Sequence, residues 1–358
     1  MNKNKYDISS FSQLDPALIK AWSEIEKVSE SYFFQNFNFI KNYLDFHNKS
    51  TIKNLKFIVV RLSENKKVIC IFPFQIIKMY RVKILQWLGS NDFDYCCPVI
   101  NKNINLDDHF VDIWQNVLKT MNGYDLILFD KQPKKIGTVM NPFVKYLPCI
   151  PVSKIYLINL NTNFENYINS IKNKKFISEF NRTEKKLKLD NKVELKIIDP
   201  IDQTLFPSDI IKQKINLLNK VNKKHNFNKQ ILSFFDFFRA EYPQKTILAA
   251  LFVNNKIIAA CFNLIHKERF YYLIPATFSN EYNKYSPGKI LISFLIKWSS
   301  INKIKIFDFG LGEESYKKYW SNNTTELFRY IYFKTTKGLI IYVLIKIFLF
   351  CKFLKKLI

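Results

Sequence analysis

The sequence predicts an α/β (α+β) fold of two domains, each with a mixed, largely antiparallel sheet flanked by helices. Three observations lead to this prediction. The chain has 358 residues, of which 48% are hydrophobic, so it can fill two cores of ordinary size. Segments with helical periodicity alternate with short apolar runs of strand length. Both halves show the same order of elements: helices, a strand meander, another helix and a last strand.

The first domain is expected to cover residues 1–150. Its second helix has a broad, largely aromatic apolar face, which is typical of a helix packed on a core. Short apolar runs predict strands, and the prolines from Pro133 to Pro151 mark the end of the domain. The predicted helices are 14–30, 34–47 and 106–121, and the predicted strands are 55–62, 68–77, 82–88, 96–100 and 124–129.

The second domain is expected to cover residues 151–337. Its first helix has a basic face, and the pair Asn254-Asn255 between two apolar runs fits a tight hairpin. The predicted helices are 164–189, 208–224, 228–240 and 289–301, and the predicted strands are 154–160, 193–198, 246–253, 256–265, 269–274, 304–309 and 328–334.

The formal net charge of +25 favours anionic partners, such as a phosphorylated cofactor, tRNA or an acidic lipid. Arginine occurs only six times, whereas a surface dedicated to nucleic acid needs arginine for bidentate and stacking contacts. The abundance of Lys, Asn, Ile, Phe and Tyr is that of A/T-rich codons, so part of the charge is compositional. We expect no DNA partner.

The six cysteines form no C-x-x-C pair and no Cys/His spacing typical of a metal site. Most of them lie in apolar runs, which indicates buried free thiols. The first fifteen residues lack the apolar core of a signal peptide. We therefore expect a reducing, cytoplasmic location and no metal.

The segment Phe307–Trp320 reads FDFGLGEESYKKYW and contains the Asp-Phe-Gly tripeptide that holds magnesium in protein kinases. A kinase also needs a glycine-rich phosphate loop and a catalytic loop with a base and a second metal ligand. The sequence contains neither motif, which excludes a kinase.

The helix at 289–301 follows Ser286-Pro287-Gly288. Ser286 is a natural N-cap and Pro287 a natural first helical residue. The N-terminus of a helix leaves backbone N–H groups free and attracts phosphate. The segment is therefore a candidate pyrophosphate site, and an ordinary capped helix is the alternative.

Several ordered motifs resemble the CelD-like, Fem-related branch of the GNAT acyltransferase superfamily, over roughly residues 30–335. The most specific set lies in the second half of the chain, and weaker matches lie upstream. The matching stretches are Phe34–Phe39, Gly89 with Asp94-Tyr95, Arg182–Leu187, Ile258–Ala260, Arg269–Tyr272, Tyr282, Tyr285–Gly288, Phe307–Gly310 with Gly312, and Tyr316-Lys317 with Trp320.

The resemblance implies tandem GNAT-like domains and N-acyl transfer from acyl-CoA, as co-substrate, to an amino group. The acceptor expected is a small-molecule, lipid-linked or nucleotide-linked amino sugar, or another cell-envelope precursor. The stretch Asn283–Gly288 has one glycine where the usual phosphate loop has two small residues, so fewer amides approach a pyrophosphate. Fem relatives use aminoacyl-tRNA, which is one alternative. A non-catalytic, membrane-docked scaffold of envelope polysaccharide synthesis is the other.

Acyl transfer to an amine needs a group that accepts its proton and groups that stabilise the oxyanion. Asp308, just before Gly310 and Gly312, is the first candidate to orient or deprotonate the amine, and a turn residue is the alternative. Lys317 is a candidate to neutralise a phosphate or the oxyanion, and a solvated lysine is the alternative. Tyr316 is the third catalytic candidate, with core packing as its alternative.

The remaining candidates are assigned to binding. The acyl-CoA carrier is expected at the helix start, and the acceptor at a set of residues in both halves of the chain. The carrier-binding candidates are Tyr285, Ser286, Gly288 and Lys289, and the substrate-binding candidates are Asp94, Tyr95, Trp320 and His225.

Residues 338–358 combine large apolar side chains with lysines, which predicts an amphipathic helix. Lys346 interrupts the apolar run, so no stretch reaches the roughly 18 residues of a membrane span. Lys352, Lys355 and Lys356 cluster on one side of the helix. We expect this tail to hold the protein as a peripheral protein on the inner face of an anionic membrane, and packing on the protein is the alternative.

Overall fold

Two units of similar plan make up the chain. The computed structural model describes residues 5–47, 54–107, 109–225 and 227–357. Unit 1 comprises Met1–Ser153 together with Glu326–Ile358, and unit 2 comprises Lys154–Thr325. The first boundary follows Ser153, whereas the first domain was expected to end at residue 150. Residues 326–337, expected in the second domain, belong instead to unit 1, because their strand pairs with a strand of that unit.

The apolar runs of the first half form strands and its amphipathic segments form helices. The side chains of Asp15 and Asn36 cap the first two helices, because each accepts a hydrogen bond from a free backbone N–H at the helix start. The strands are β1 (Tyr6–Phe11), β2 (Leu55–Leu62), β3 (Val68–Met79), β4 (Val82–Trp87), β5 (Val99–Ile100), β6 (Leu126–Pro133), β7 (Lys135–Ile136) and β8 (Val139–Met140), and the helices are α1 (Pro16–Glu26), α2 (Phe37–Phe46), α3 (Phe110–Thr120) and α4 (Pro142–Tyr146).

In the described part of the second half, six strands and six α-helices precede the last strand and the last helix of the chain. The strands are β9 (Ile150–Asn159), β10 (Val193–Ile198), β11 (Thr246–Val253), β12 (Lys256–His266), β13 (Arg269–Thr277), β14 (Ile306–Asp308) and β15 (Asn323–Phe333), and the helices are α5 (Phe164–Ser170), α6 (Lys174–Asp190), α7 (Pro207–Lys220), α8 (Lys229–Glu241), α9 (Pro287–Ile301), α10 (Ser315–Trp320) and α11 (Thr336–Leu357).

Each unit contains a sheet in which one neighbouring pair is parallel and the other pairs of its main path are antiparallel. In unit 1 the order is β1-β2-β3-β4-β6-β15, with β4 and β6 parallel. In unit 2 the order is β10-β11-β12-β13-β14-β9, with β13 and β14 parallel. The predicted fold class, mixed and largely antiparallel sheets flanked by helices, is confirmed.

The last strand of the unit 1 sheet comes from outside the run of chain that forms the rest of it. After β8 the chain enters unit 2 through β9, which pairs with β14. After β14 the chain continues to β15, which pairs with β6 of unit 1. Unit 2 is thus one continuous run of chain, and unit 1 is completed by a strand that follows the whole of unit 2.

The cores are built differently in the two units. In unit 1 the rings of Phe74 and Phe129 stack with centroids 4.8 Å apart, and Trp87, Trp114 and Phe143 pack around them. In unit 2 the apolar side of α9 lies on β12 and β13, and most of the core is aliphatic. Both cores are continuous apolar interiors of the kind that stabilises domains of this size.

Two local predictions were tested by the structure. Asn254 and Asn255 both have positive φ, 50° and 64°, so the hairpin between β11 and β12 is a tight turn, as predicted. The predicted helix at 164–189 is two helices instead of one. Ile171 leaves the helical conformation, and the side chain of Asn173 caps a new helix by accepting the Phe176 N–H at 2.9 Å.

The C-terminal helix α11 packs one side on unit 1. Ile341, Tyr342 and Ile345 lie against the cluster formed by Val82 and Leu126 with their neighbours. A side chain at Gly338 would clash with the carbonyl of Asp125, so glycine permits this close approach. This face of α11 therefore packs on the protein, which was the alternative to membrane attachment. The side chains of Lys352, Lys355 and Lys356 lie outside the described residues. No helix in the described part of the chain has the length and apolarity of a membrane span.

Candidate active site

Unit 2 contains a pocket of about 350 Å³ at the end of β13. Its walls come from the second half of β13, the start of α9, one side of α7 and the segment that leads into α10. Part of the lining is apolar, including Ala259, Ala260 and Leu291, and part is charged. Pockets with few polar groups on an apolar lining are typical of small-molecule sites.

The start of α9 forms one wall and is strained. Ser286 has φ +51°, a left-handed conformation that costs a non-glycine residue about 1–2 kcal/mol. Its side chain does not cap the helix, contrary to the predicted capping role, although Pro287 is the first helical residue, as predicted. Ser286 is also the C-cap of a short 3-10 helix, Glu281–Tyr285, so its left-handed conformation joins two helices. Strained backbone of this kind also clusters at functional sites.

Gly288 presents its backbone to the pocket. Within the described part of the chain, no hydrogen bond uses the Gly288 N–H, whereas the next N–H, of Lys289, donates to the Ser286 carbonyl at 2.9 Å. A Cβ at Gly288 would meet nothing within 4 Å. The helix start thus offers one free donor, the positive end of a helix dipole and open space beside it.

Three polar side chains of the lining lie near one another: Lys214, Glu314 and Tyr316. Burial lowers the pKa of Lys214, although Glu314 acts to raise it. Burial acts to raise the pKa of Glu314, but Lys317 and Lys223 outweigh it, so this pKa is below its usual value. Burial raises the pKa of Tyr316, and Glu314 raises it further. At neutral pH Glu314 is therefore ionised and Tyr316 protonated, and Lys214 loses its proton more easily than an exposed lysine.

Beside the pocket, β13 pairs with no further strand on its β14 side in the described part of the chain. Its ladder with β14 extends from Arg269 to Tyr271, where Tyr271 pairs with Asp308, and then ends. The register between β12 and β13 shifts at Phe262/Asn263, so an irregularity bends the strand just before the pocket. An extended ligand can hydrogen-bond to such an exposed strand edge.

Asp308 does not lie at the pocket. It is 0% exposed, and its carboxylate accepts a hydrogen bond from Arg269 at 2.8 Å and from the Gly310 N–H at 2.9 Å. Gly310 has a positive φ of 62°, so this contact stabilises a tight turn. The geometry is that of the turn-residue alternative, and the catalytic assignment of Asp308 stays a prediction.

Lys317 and Trp320 lie behind the pocket wall. The Lys317 ammonium donates to the Leu311 carbonyl at 2.6 Å and lies 3.0 Å from a Glu314 carboxylate oxygen. Trp320 is buried against Phe176 and its neighbours, and its carbonyl accepts a hydrogen bond from a buried tyrosine. Lys317 thus positions a pocket residue, and Trp320 packs in the core.

The remaining sequence-predicted residues are dispersed. Tyr285 is buried next to the helix start and is not among the residues that line the pocket. His225 lies with its Nε2 at 3.2 Å from the Asn219 amide oxygen, also away from the lining. Asp94 and Tyr95 belong to unit 1, where the Tyr95 ring is fully buried and stacks on Tyr32 at 4.1 Å.

The pocket therefore brings together four of the predicted residues: Ser286, Gly288, Lys289 and Tyr316. The sequence analysis singled out neither Lys214 nor Glu314 as a site residue. The sequence pattern could have indicated Lys214, because this lysine interrupts the apolar side of α7 at helical spacing from Ile210 and Leu217. Among the described residues, no group of three His, Cys, Asp or Glu side chains is arranged to hold a metal ion.

Comparison with known proteins agrees with this geometry. Residues 210–318 match the family model described as an acetyltransferase (GNAT) domain, and this segment contains every residue that lines the pocket. Comparison of the sequence with curated proteins gave no match.

The solved structures that are similar to this one include FemX and L-PGS. FemX has a TM-score of 0.59 at 11% identity, over 94% of this chain and 99% of that chain. L-PGS from Bacillus licheniformis has a TM-score of 0.53 at 12% identity, over 93% of this chain and 95% of that chain. At such identities the similarity shows the fold alone. Residues 210–318 thus match a GNAT acetyltransferase domain, and the fold of the chain is similar to that of FemX.

Proposed function

We propose that this protein is an N-acyltransferase that uses the unit 2 pocket to move an acyl group from acyl-CoA to an amine. The observation that carries the proposal is the pocket itself. A strained helix start with a free N–H forms one wall, and Lys214, Glu314 and Tyr316 form another. Residues of β13 that lie beyond its ladder with β14 belong to the same lining.

The helix start suits the carrier. A phosphate group can accept a hydrogen bond from the Gly288 N–H and is attracted by the helix dipole and by the Lys289 ammonium. One free amide is fewer than a glycine-rich phosphate loop provides, so charge carries more of this binding. The amide groups of an extended acyl carrier can pair with the β13 edge. A thioester bound there would supply the acyl group.

The charged wall suits the amine. Ionised Glu314 attracts the ammonium form of the acceptor and holds it in the pocket. The neutral form of Lys214 then accepts a proton from that ammonium, and the freed lone pair attacks the acyl carbonyl carbon. A carbon–nitrogen bond forms, the carbon–sulfur bond breaks, and CoA leaves as a thiolate that takes up the proton released from the new amide nitrogen. Protonated Tyr316 donates a hydrogen bond to the oxygen or sulfur on which negative charge develops.

The acceptor we propose is an amino sugar or another amine-bearing precursor of the cell envelope, modified in the cytoplasm. The resemblance to Fem transferases supports this class. Positively charged acceptors also match the ionised carboxylate of Glu314 better than neutral ones. Lys317, at 3.0 Å from that carboxylate, keeps it ionised and in place.

A second candidate is transfer from aminoacyl-tRNA. Two observations favour it: the net charge of +25, and the exposed basic residues of α6, among them Lys175, Arg182 and Lys186. The ring of Phe176, on the same helix, lies 5.6 Å from the ammonium of Lys289 in the pocket wall. The basic helix is thus next to the carrier-binding wall.

Calorimetric titration with acetyl-CoA and with a longer acyl-CoA tests the carrier. We expect heat of binding in the wild type, near-normal binding in Gly288→Ala, and loss of binding in Gly288→Leu, whose side chain would fill the open space at the helix start. Thermal melting of all three proteins should remain similar. Absence of heat and of a thermal shift with both ligands would contradict acyl-CoA as carrier.

The same samples distinguish the second candidate. tRNA binding should weaken steeply between 50 and 200 mM salt, by up to about 10³–10⁵-fold if six to ten phosphates are contacted, because counterions are released. CoA binding should change far less. Steeply salt-dependent tRNA binding without any CoA binding would replace the first proposal by the second.

A further inference from the structure

The outward face of α11 is apolar and exposed. Leu339, Ile340, Val343, Leu344 and Ile347 are all large aliphatic residues on this face, and Ile340 is 62% exposed. At 100° per residue these five positions fall within an arc of about 140°. They therefore form one continuous stripe, which we call the outer stripe.

The opposite face of the same helix is occupied by unit 1. Gly338, Ile341, Tyr342 and Ile345 fall on that side and pack on the sheet. The helix is thus formed and held in place before any partner arrives. The side chains of this opposite face already fill the contact between the helix and the unit 1 core. The outer stripe therefore does not pack on that core.

Basic residues border the outer stripe. On the helical wheel, Lys337 falls beside one edge and Lys346 beside the other, and both are exposed. Residues 327–358 contain no acidic residue. An apolar arc between lysines is the arrangement of helices that lie in the interface of an anionic membrane, where the aliphatic stems reach down and the ammonium groups stay among headgroups.

The same lysines argue against a second copy of the chain as the partner of the outer stripe. Two copies that met face to face through the outer stripe would bring Lys337 and Lys346 of each copy towards like charges, with no acidic residue of the segment to compensate. A bilayer with anionic headgroups compensates every one of these charges. No described helix is suited to cross the bilayer. The surface therefore fits attachment in the plane of the interface.

We propose that the outer stripe of α11, with Lys337 and Lys346 on its borders, docks unit 1 on the surface of an anionic lipid bilayer. The binding is reversible, because one partly exposed helical face and a few lysines contribute modestly. The inference does not rest on the proposed acyl transfer. Vesicle binding and acyl-CoA binding are measured separately, so either one can fail alone.

The test is co-sedimentation of the full chain with vesicles of phosphatidylglycerol and phosphatidylcholine, compared with phosphatidylcholine alone. The wild type should bind the anionic vesicles at low salt, and at least tenfold less to the zwitterionic vesicles. The variant Ile340→Glu/Leu344→Glu should lose at least tenfold in partition coefficient with its melting temperature unchanged, because both positions point away from the core.

The matched control is Leu189→Glu/Ile201→Glu, which places the same charges on exposed aliphatic residues of unit 2. It should bind anionic vesicles as the wild type does, less the small effect of two added negative charges. Equal loss in both variants would show that net charge alone drives binding and would overturn the proposal. A wild-type protein that ignores anionic vesicles would also overturn it. So would a dimer that the Ile340→Glu/Leu344→Glu variant converts to monomer, since the stripe would then be a contact between copies.

Discussion

At the scale of single residues, the chemistry of the pocket depends on where a few charged side chains are buried. Lys214, Glu314 and Tyr316 share one wall, and each has a pKa displaced from its usual value. The sequence shows which residue types are present but not which of them share an environment. Tyr316 was found because a motif marked it. Lys214 was visible only as an interruption of an apolar helix face.

Lys214 provides the first prediction at this scale. Because burial lowers its pKa, the neutral form grows as pH rises, and turnover should rise with it through that lowered pKa. Lys214→Met should lose about 10²-fold or more in kcat and the rising limb of the pH profile. Lys214→Arg, which keeps the charge but stays protonated, should be equally impaired.

Lys212→Met is the control for this series, because Lys212 lies on the same helix with an exposed side chain. It should keep wild-type kcat and the wild-type pH profile. Turnover of Lys214→Met at the wild-type rate with an unchanged profile would contradict the role of Lys214 as proton acceptor.

Asp308 shows why the remaining site assignments were not accessible from sequence. Its partner Arg269 is 39 positions away and reaches it only because β13 and β14 pair in parallel. Without that register, a carboxylate before two glycines fits both a catalytic group and a turn residue. The structure shows the carboxylate in contact with Arg269 and with the Gly310 N–H.

At the scale of elements, long periodic segments were predicted well and short ones were not. Helices α7, α8 and α9 and the strands of both meanders lie close to their predicted positions, because their apolar patterns are long enough to show a period. The strand β1 was missed, since it is only six residues long and its sequence, YDISSF, contains few apolar residues. The break between α5 and α6 depends on one capping asparagine, Asn173, inside an otherwise helical pattern.

The small hairpin of β7 and β8 gives a prediction at this scale. Glu30 accepts hydrogen bonds from the Thr138 N–H at 2.7 Å and from the Lys102 ammonium at 3.0 Å. The bond from Lys102 is the main reason that the pKa of Glu30 is lowered to about 2, and the Thr138 bonds add to it against the effect of burial.

A carboxyl group with a lowered folded-state pKa stabilises the protein above its unfolded pKa of about 4.5. This contribution is lost as pH falls towards about 2. Glu30→Gln should therefore reduce the free energy of unfolding at neutral pH, and the difference from wild type should shrink between these two pH values. Urea unfolding across that range measures it. Glu24→Gln, at an exposed position of α1, should show no such pH-dependent difference, and an equal effect in both variants would contradict the assignment.

At the scale of the whole molecule, the repeated plan was predicted, and the return of the chain to unit 1 at β15 was not. The sequence order helices, meander, helix and last strand is the same in both halves, so two units of one type followed directly. Pairing between β6 and β15 joins segments far apart in the chain, and no local pattern encodes it. The natural assumption, that each last strand completes its own half, placed residues 326–337 in the second domain.

Two truncations test whether unit 1 needs β15 to fold. Deleting residues 336–358 removes α11 alone and should leave a folded protein with a lower melting temperature, because Ile341 and Ile345 no longer cover the sheet. Deleting 326–358 also removes the part of β15 that pairs with β6 and should abolish folding of unit 1. Calorimetry and near-UV circular dichroism distinguish these outcomes. Equal melting temperatures for the two truncated proteins would show that unit 1 does not need β15.

The position of β15, after the whole of unit 2, also imposes an order on biosynthesis. A ribosome completes β6 roughly 190 residues before it begins β15, a delay of about 10–40 s at ~5–20 residues per second. Throughout this time the edge of β6 has no native partner, and unpaired edges invite wrong pairing. The first strand of substantial length to emerge after β6 is β9, which forms an antiparallel pair in its native position beside β14. A nascent chain is therefore exposed to one specific error, in which β9 occupies the place of β15, and it leaves that trap only after β14 has been made.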